Sequence, residues 1–335
     1  MLFRLTRTTI EAAPRGGIDP HLVWRFSACL IVVLAAIPVS LRGAPPMMDL
    51  LLNFIHSSNR VVLATVRENR AVVVDGSDYQ RVRAEQIELF KGTPSSTREL
   101  MIDVYTAGVD SPEARVGESY VFLLRSAAPV AAPWRLVNLT RPLKLPTEQR
   151  AAFLQCMREA VRVASTPPQE ADLKKYMFEM LKSNVPLFLE DANAVAGTIT
   201  KWQLGEIESL IAILARDPEH LKYRGDTRDN LVAVIAWHGS AAQAAGFGRA
   251  ELKRDGSTEA FYAGLVNRTD HAPETVVTEL LRDSNPSLQA RALRLAGLLR
   301  RRDIIDAFEK QIANSADDLI RGAIASARAL VTRDY

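Results

Sequence analysis

Apolar and polar positions along this chain change their rhythm near Pro146. Ahead of it, β-rich runs occupy 61–66, 71–74, 79–90, 100–105, 120–124 and 134–139. Short turns join them, and Lys91-Gly92-Thr93-Pro94 punctuates the third, as Gly and Pro do. Six short strands in so short a stretch predict a small all-β barrel or sandwich. In the run 120–124, period two puts Tyr120, Phe122 and Leu124 on one face and Val121 and Leu123 on the other. Both faces are apolar, so this strand is expected to lie under a second layer, supplied by the helical half.

Beyond Pro146 the period lengthens to about 3.6. A helix is expected at 149–164, with Ala152, Phe153, Cys156, Met157, Ala160 and Val161 on one side, and a second at 170–181. The stretch 185–189 is apolar but short after Pro186, and 189–198 reads as connection. Thr200 is the expected cap of the next helix, with Gln203 completing a capping box and Leu204, Ile207, Ile211 and Leu214 on its face. Asp217-Pro218 ends it, and further helices are expected at 229–237, 241–253 and 259–265.

The last 60 residues carry an internal repeat. Shifted by 31, Leu288 meets Leu319, Ala292 meets Ala323, Leu293 meets Ile324, Ala296 meets Ala327 and Leu299 meets Leu330. The preceding helix aligns Val277 with Phe308 and Leu281 with Ile312, and Asp283 shares a turn position with Asn314. Asn285-Pro286 is a good helix start. The pattern resembles short alanine-rich HEAT-like repeats, in which Arg291 fits and Gly322 does not. One helical pair has too small a core to stand alone, so the pairs should stack. A third copy, in the helix at 241–253, needs a different spacing.

In front of both halves, residues 28–41 read ACLIVVLAAIPVSL, without a charge, between Arg25 and Arg42. As a helix they span about 21 Å, short of the roughly 30 Å hydrocarbon core, so a signal peptide is expected. An inner-membrane anchor formed by residues 28–41 is the alternative. Pro14, Gly16, Gly17 and Pro20 make the stretch before it irregular, and an over-extended start is one reading of that stretch. Residues 1–44 carry five Arg and two acids, net +3, equal to the net charge of the whole chain. The remainder is neutral. A nucleic-acid binder needs a concentrated positive surface, so no nucleic-acid partner is expected.

The order Val61-Val62-Leu63-Ala64-Thr65-Val66, then Glu88-Leu89-Phe90-Lys91-Gly92, then Arg115 to Leu124 (RVGESYVFLL), resembles bacterial exported proteins with a netrin-like, tissue-inhibitor-of-metalloproteinase-like domain. The resemblance covers about 85 of the 335 residues. It implies an OB-type barrel. In the animal inhibitors an N-terminal cysteine, held by disulfides, reaches the protease zinc; this chain has no cysteine between Cys29 and Cys156. Metalloprotease inhibition is therefore not carried over.

The expected fold is α+β with two domains, a small OB-type β barrel followed by an all-helical domain with HEAT-like helical pairs. The divisions are a leader at 1–44, a linker or short helix at 45–56, the barrel at 57–145, a helical domain at 146–267 and HEAT-like repeats at 268–335. No catalytic, cofactor or metal residue is nominated. His56, His220, His238 and His271 stand apart from one another, and Cys156 reads as a small buried hydrophobe. Arg300, Arg301 and Arg302 form the sharpest charge cluster, placed at a turn between helices. They are the candidate anion or partner contact, beside the plainer reading of arginines at a helix C-terminus. The expected role is a non-catalytic exported protein, periplasmic or extracellular, acting through protein partners. It touches the membrane only through an uncleaved leader. The alternative is an enzyme or enzyme inhibitor with a cleft between the two halves.

Overall fold

The computed structural model describes residues 51–106, 114–126, 133–137, 142–216, 228–253, 258–312 and 318–332. The leader with its apolar run, Asn314 and His220 lie outside them. Within them the architecture is α+β, a six-stranded sheet followed by a helical region, with twelve helices among the described residues. One helix, α1 (Leu51–Ser57), precedes the sheet.

The strands are β1 (Arg60–Val74), β2 (Ser77–Lys91), β3 (Glu99–Tyr105), β4 (Ser119–Arg125), β5 (Trp134–Leu136) and β6 (Leu143–Lys144). The expected runs 61–66 and 71–74 are one strand, because the polar residues Glu68 to Arg70 between them continue the ladder with β2 after a register shift at Arg67. Asp75 and Gly76, at φ 50° and 77°, make the tight turn that reverses β1 into β2. β1 pairs with β2 along most of its length and with β4 along its first half. Register shifts at Val61/Val62, Leu63/Ala64 and Val66/Glu68 bend β1 so that it can serve both neighbours. β2 continues to β3, β3 pairs parallel with β5, and β5 pairs antiparallel with β4. The pairings thus form a closed ring, β1-β2-β3-β5-β4, with β6 added to β4.

Alternation then sorts the side chains. Val62, Val82, Ile102, Phe122 and Leu124 are among those that fill the inside of the ring. Val61, Leu63, Val121 and Leu123 face outward and are equally buried, because they share a core with the helices. Gly92 closes β2 at φ 108°, where a Cβ would stand 2.9 Å from the Asn59 carbonyl oxygen, so a larger residue cannot make this turn. Arg81 forks onto the buried carboxylate of Asp103, its register partner on β3, at 2.7 and 2.9 Å.

The helices after the sheet are α2 (Arg150–Ala164), α3 (Glu170–Lys182), α4 (Pro186–Ala196), α5 (Leu204–Arg216), α6 (Asp229–His238), α7 (Ala241–Leu252), α8 (Thr258–Val266), α9 (Ala272–Leu281), α10 (Pro286–Leu298), α11 (Arg302–Ile312) and α12 (Asp318–Thr332). Two local expectations are corrected. The stretch after Leu189 is helical, not connection. Pro186 starts α4, and the polar residues Asp191 and Asn193 turn inward to buried partners. Thr200 does not cap α5. Its hydroxyl donates to Glu170 at 2.9 Å, while Glu206 accepts from the Gln203 backbone N–H at 2.8 Å.

The 31-residue correspondence describes how the last four helices pack. α9 and α10 are followed by α11 and α12, and α12 lies against α10. Leu293 and Ile324, Ala296 and Ala327, and Val277 and Phe308 are buried pairwise, whereas Leu319 is exposed where Leu288 is buried. Close approach is what seats these helices. A Cβ on Gly297 would come within 2.7 Å of the Ala327 carbonyl oxygen, and one on Gly264 within 2.4 Å of that of Ala233. α8 thus packs on α6 as α10 packs on α12, so tight stacking extends upstream of the aligned copies. No described helix is long and apolar enough to cross a membrane.

A pair of identical substitutions separates packing from propensity. Gly297→Ala should lower the free energy of unfolding by about 1–3 kcal/mol, since backbone must move. Gly246→Ala, in α7 with open space around it, should raise it by up to about 1 kcal/mol. Urea titrations of both variants give the test; equal effects would contradict the stacking argument.

Candidate functional site

Three places bring polar chemistry together. The first is buried. Asp191 on α4 accepts the Leu51 backbone N–H at 2.7 Å on one oxygen and the Tyr176 hydroxyl at 2.6 Å on the other. Burial pushes its carboxyl from 3.8 up to about 6, against the lowering effect of these two donors. Burial also drives the Tyr176 phenol well above its ordinary value, and the neighbouring Asp191 charge adds to that. The group thereby fastens the start of α1 to α3 and α4. At the other end of α1, Lys91 of β2 donates to the Ile55 and His56 carbonyl oxygens at 2.7 and 2.9 Å, and a His56 ring nitrogen lies 3.0 Å from the Ala164 carbonyl oxygen. A short helix is thus held by sheet and helices together.

The second place is a groove of about 650 Å³ along α2 and α3. Antiparallel neighbours leave Ala152, Cys156 and Met180 at its bottom. The Cys156 thiol is buried, and burial raises its pKa while a hydrogen bond from Ser183 opposes the shift. The rim is charged. Arg158 forks onto Glu88 of β2 at 2.9 and 3.0 Å, so the groove borders the sheet. Arg162 forks onto Glu159 at 2.8 and 2.6 Å and holds that carboxyl below its usual range. Lys175, Glu179 and Lys182 complete the rim, exposed along one face of α3. Among the described residues neither lysine has an ion-pair partner.

The third place is the turn nominated from the sequence. Arg300 ends α10 at φ 57°, with its N–H bonded to the Gly297 carbonyl and the Arg301 N–H bonded to that of Ala296. This is a Schellman closure with arginine where glycine is usual. Arg301 forks onto Asp303 at 2.9 and 2.6 Å and also meets Glu274 of α9. Arg302 lies 3.6 Å from Asp306. The structure therefore keeps the three arginines on one turn but commits Arg301 and Arg302 to neighbouring carboxylates.

Sequence reasoning missed a second copy of this device. Arg268 forks onto Asp270 at 2.9 and 3.0 Å and donates to the Ala236 and Gly239 carbonyl oxygens at the end of α6. The signal was present, since Gly264 precedes Arg268-x-Asp270 at the spacing by which Gly297 precedes Arg301-x-Asp303. The groove was missed for a different reason. Its rim combines residues of two helices with no recognisable motif.

Among the described residues no group of three or more His, Cys, Asp or Glu is arranged to hold a metal ion. His271 precedes α9, and His238 stacks on Trp237 with ring centroids 4.5 Å apart, beside Trp202.

Two predictions test these assignments. Asp191 binds its proton more tightly folded than unfolded. Its contribution is therefore most favourable below about pH 4 and is lost as pH rises through about 6. Between pH 4 and pH 7.5 the stability of the parent relative to Asp191→Asn should fall by about 2 kcal/mol. A pH-independent difference in chemical denaturation would contradict the assignment. Arg300→Gly should raise stability by about 1 kcal/mol by relieving the left-handed backbone. A loss on that change would show that the arginine side chain holds the turn.

Comparison with family models, with curated proteins and with solved structures finds no match to this chain.

Proposed function

We propose that this chain is a non-catalytic exported protein that acts through protein contacts in the cell envelope. In this reading a netrin-like, OB-type β domain is joined to a partly HEAT-like helical stack. The observation that carries the proposal is the stack itself. Alternate helices, α8 on α6 and α10 on α12, are seated by glycine-to-backbone approaches at Gly264 and Gly297, a construction that extends by repetition and presents continuous surface to partners. Support for the OB-type reading is the pairing order β1-β2-β3-β5-β4 closed by β1 on β4, with β3 and β5 parallel, which is the order of a five-stranded OB barrel. Support for export comes from the uncharged run 28–41 between Arg25 and Arg42.

The test has two arms. Cell fractionation should place the protein in the periplasm or medium, with its N-terminus beyond residue 41. The tagged chain, crosslinked in envelope extract, should capture a partner that excess untagged chain displaces. A cytosolic protein with an intact leader would overturn export. Reproducible turnover of an envelope substrate, with no displaceable partner, would overturn the non-catalytic role in favour of an enzyme.

A further inference from the structure

We infer that the groove along α2 and α3 is a docking site for an extended acidic peptide segment of a partner protein. This inference rests on the protein-contact reading above and gives that contact a chemistry. Four cationic side chains stand on the rim against two carboxylates. Two of the cations are internally committed, Arg158 to Glu88 and Arg162 to Glu159. That leaves Lys175 and Lys182 exposed and without an ion-pair contact among the described residues, over an apolar floor of Cys156 and Met180, with the Lys175 charge adding to the lowering of the Glu159 carboxyl.

Spacing sets the ligand. Seven helical residues separate the two lysines along the α3 axis by about 10 Å. A polyproline II segment, with three residues per turn, covers about 9 Å in three residues and returns residue i+3 to the side of residue i. Carboxylates at positions i and i+3 of such a segment therefore reach both ammonium groups, and an apolar side chain between them faces the floor. Glu179 stands between Lys175 and Lys182 on the same face of α3, so a third carboxylate in the middle of the segment is repelled. The site thus favours an acid–apolar–x–acid pattern and disfavours a continuous acidic run. Such contacts are exposed and salt-sensitive, so binding should weaken steeply between about 50 mM and about 500 mM NaCl.

Fluorescence anisotropy with labelled ten-residue peptides and the purified full chain tests this. A peptide carrying Glu-Leu-Ser-Glu should bind at least about tenfold more tightly than the same peptide with Gln for both Glu, a difference of about 1.4 kcal/mol. A peptide with Glu at all four positions should bind more weakly than the first. Lys175→Glu with Lys182→Glu should remove the preference, while Lys310→Glu on α11 should leave it intact. Circular dichroism melts of these variants exclude unfolding as the cause. Equal binding of the Glu and Gln peptides, no binding up to about millimolar concentration, or a preference that survives the double variant would each overturn the site. So would lysine-dependent binding of phosphatidylglycerol vesicles without peptide binding. If the double variant still captures the envelope partner, the groove is wrong and the protein-contact role stands.

Discussion

Burial of the sheet on both faces is the constraint from which the rest of this structure follows. Val61, Leu63, Val121 and Leu123 point out of the strand ring into the core that the helices share, while Val62, Phe122 and Leu124 fill the ring. Without the helices, the first halves of β1 and β4 would expose four large aliphatic side chains to water, each worth about 1.5–3 kcal/mol of lost burial. The ring and the first helices therefore stabilise each other. α1 makes that dependence explicit, with Leu51, Leu52 and Ile55 buried in the shared core and its two ends held by Asp191 and Lys91.

Farther along the chain, shape takes over from hydrophobic area. The later helices approach until backbone meets backbone, at Gly264 against Ala233 and at Gly297 against Ala327. Polar groups then serve geometry. The Arg268–Asp270 and Arg301–Asp303 forks sit at the α8–α9 and α10–α11 turns, and Arg268 satisfies carbonyls left over at the end of α6. This explains why an arginine-rich turn need not be a recognition site. Arg301 and Arg302 are matched by acids in the same or the neighbouring helix. On α3, by contrast, Lys175 and Lys182 face outward beside the groove.

The periodicities on either side of Pro146 determined β1 to β5, with β1 read as two runs, and nearly all helix positions, because side-chain rhythm is a local property of the backbone; β6 was not among the expected runs. The 31-residue correspondence pointed to the late helices that pack on one another, α10 and α12, although only some of its aligned positions are buried alike: Leu293 with Ile324 and Ala296 with Ala327, but not Leu288 with Leu319. Apolar residues on both sides of 120–124 determined that this strand needs two covers. Only the tertiary structure decided the remainder. The closure of β1 on β4, the helical state of 189–196 and the groove depend on residues far apart in the chain. Asp191 shows why: a carboxylate in a sequence reads as solvent-facing until its partners are known, and here they are Leu51 and Tyr176, brought to it by packing.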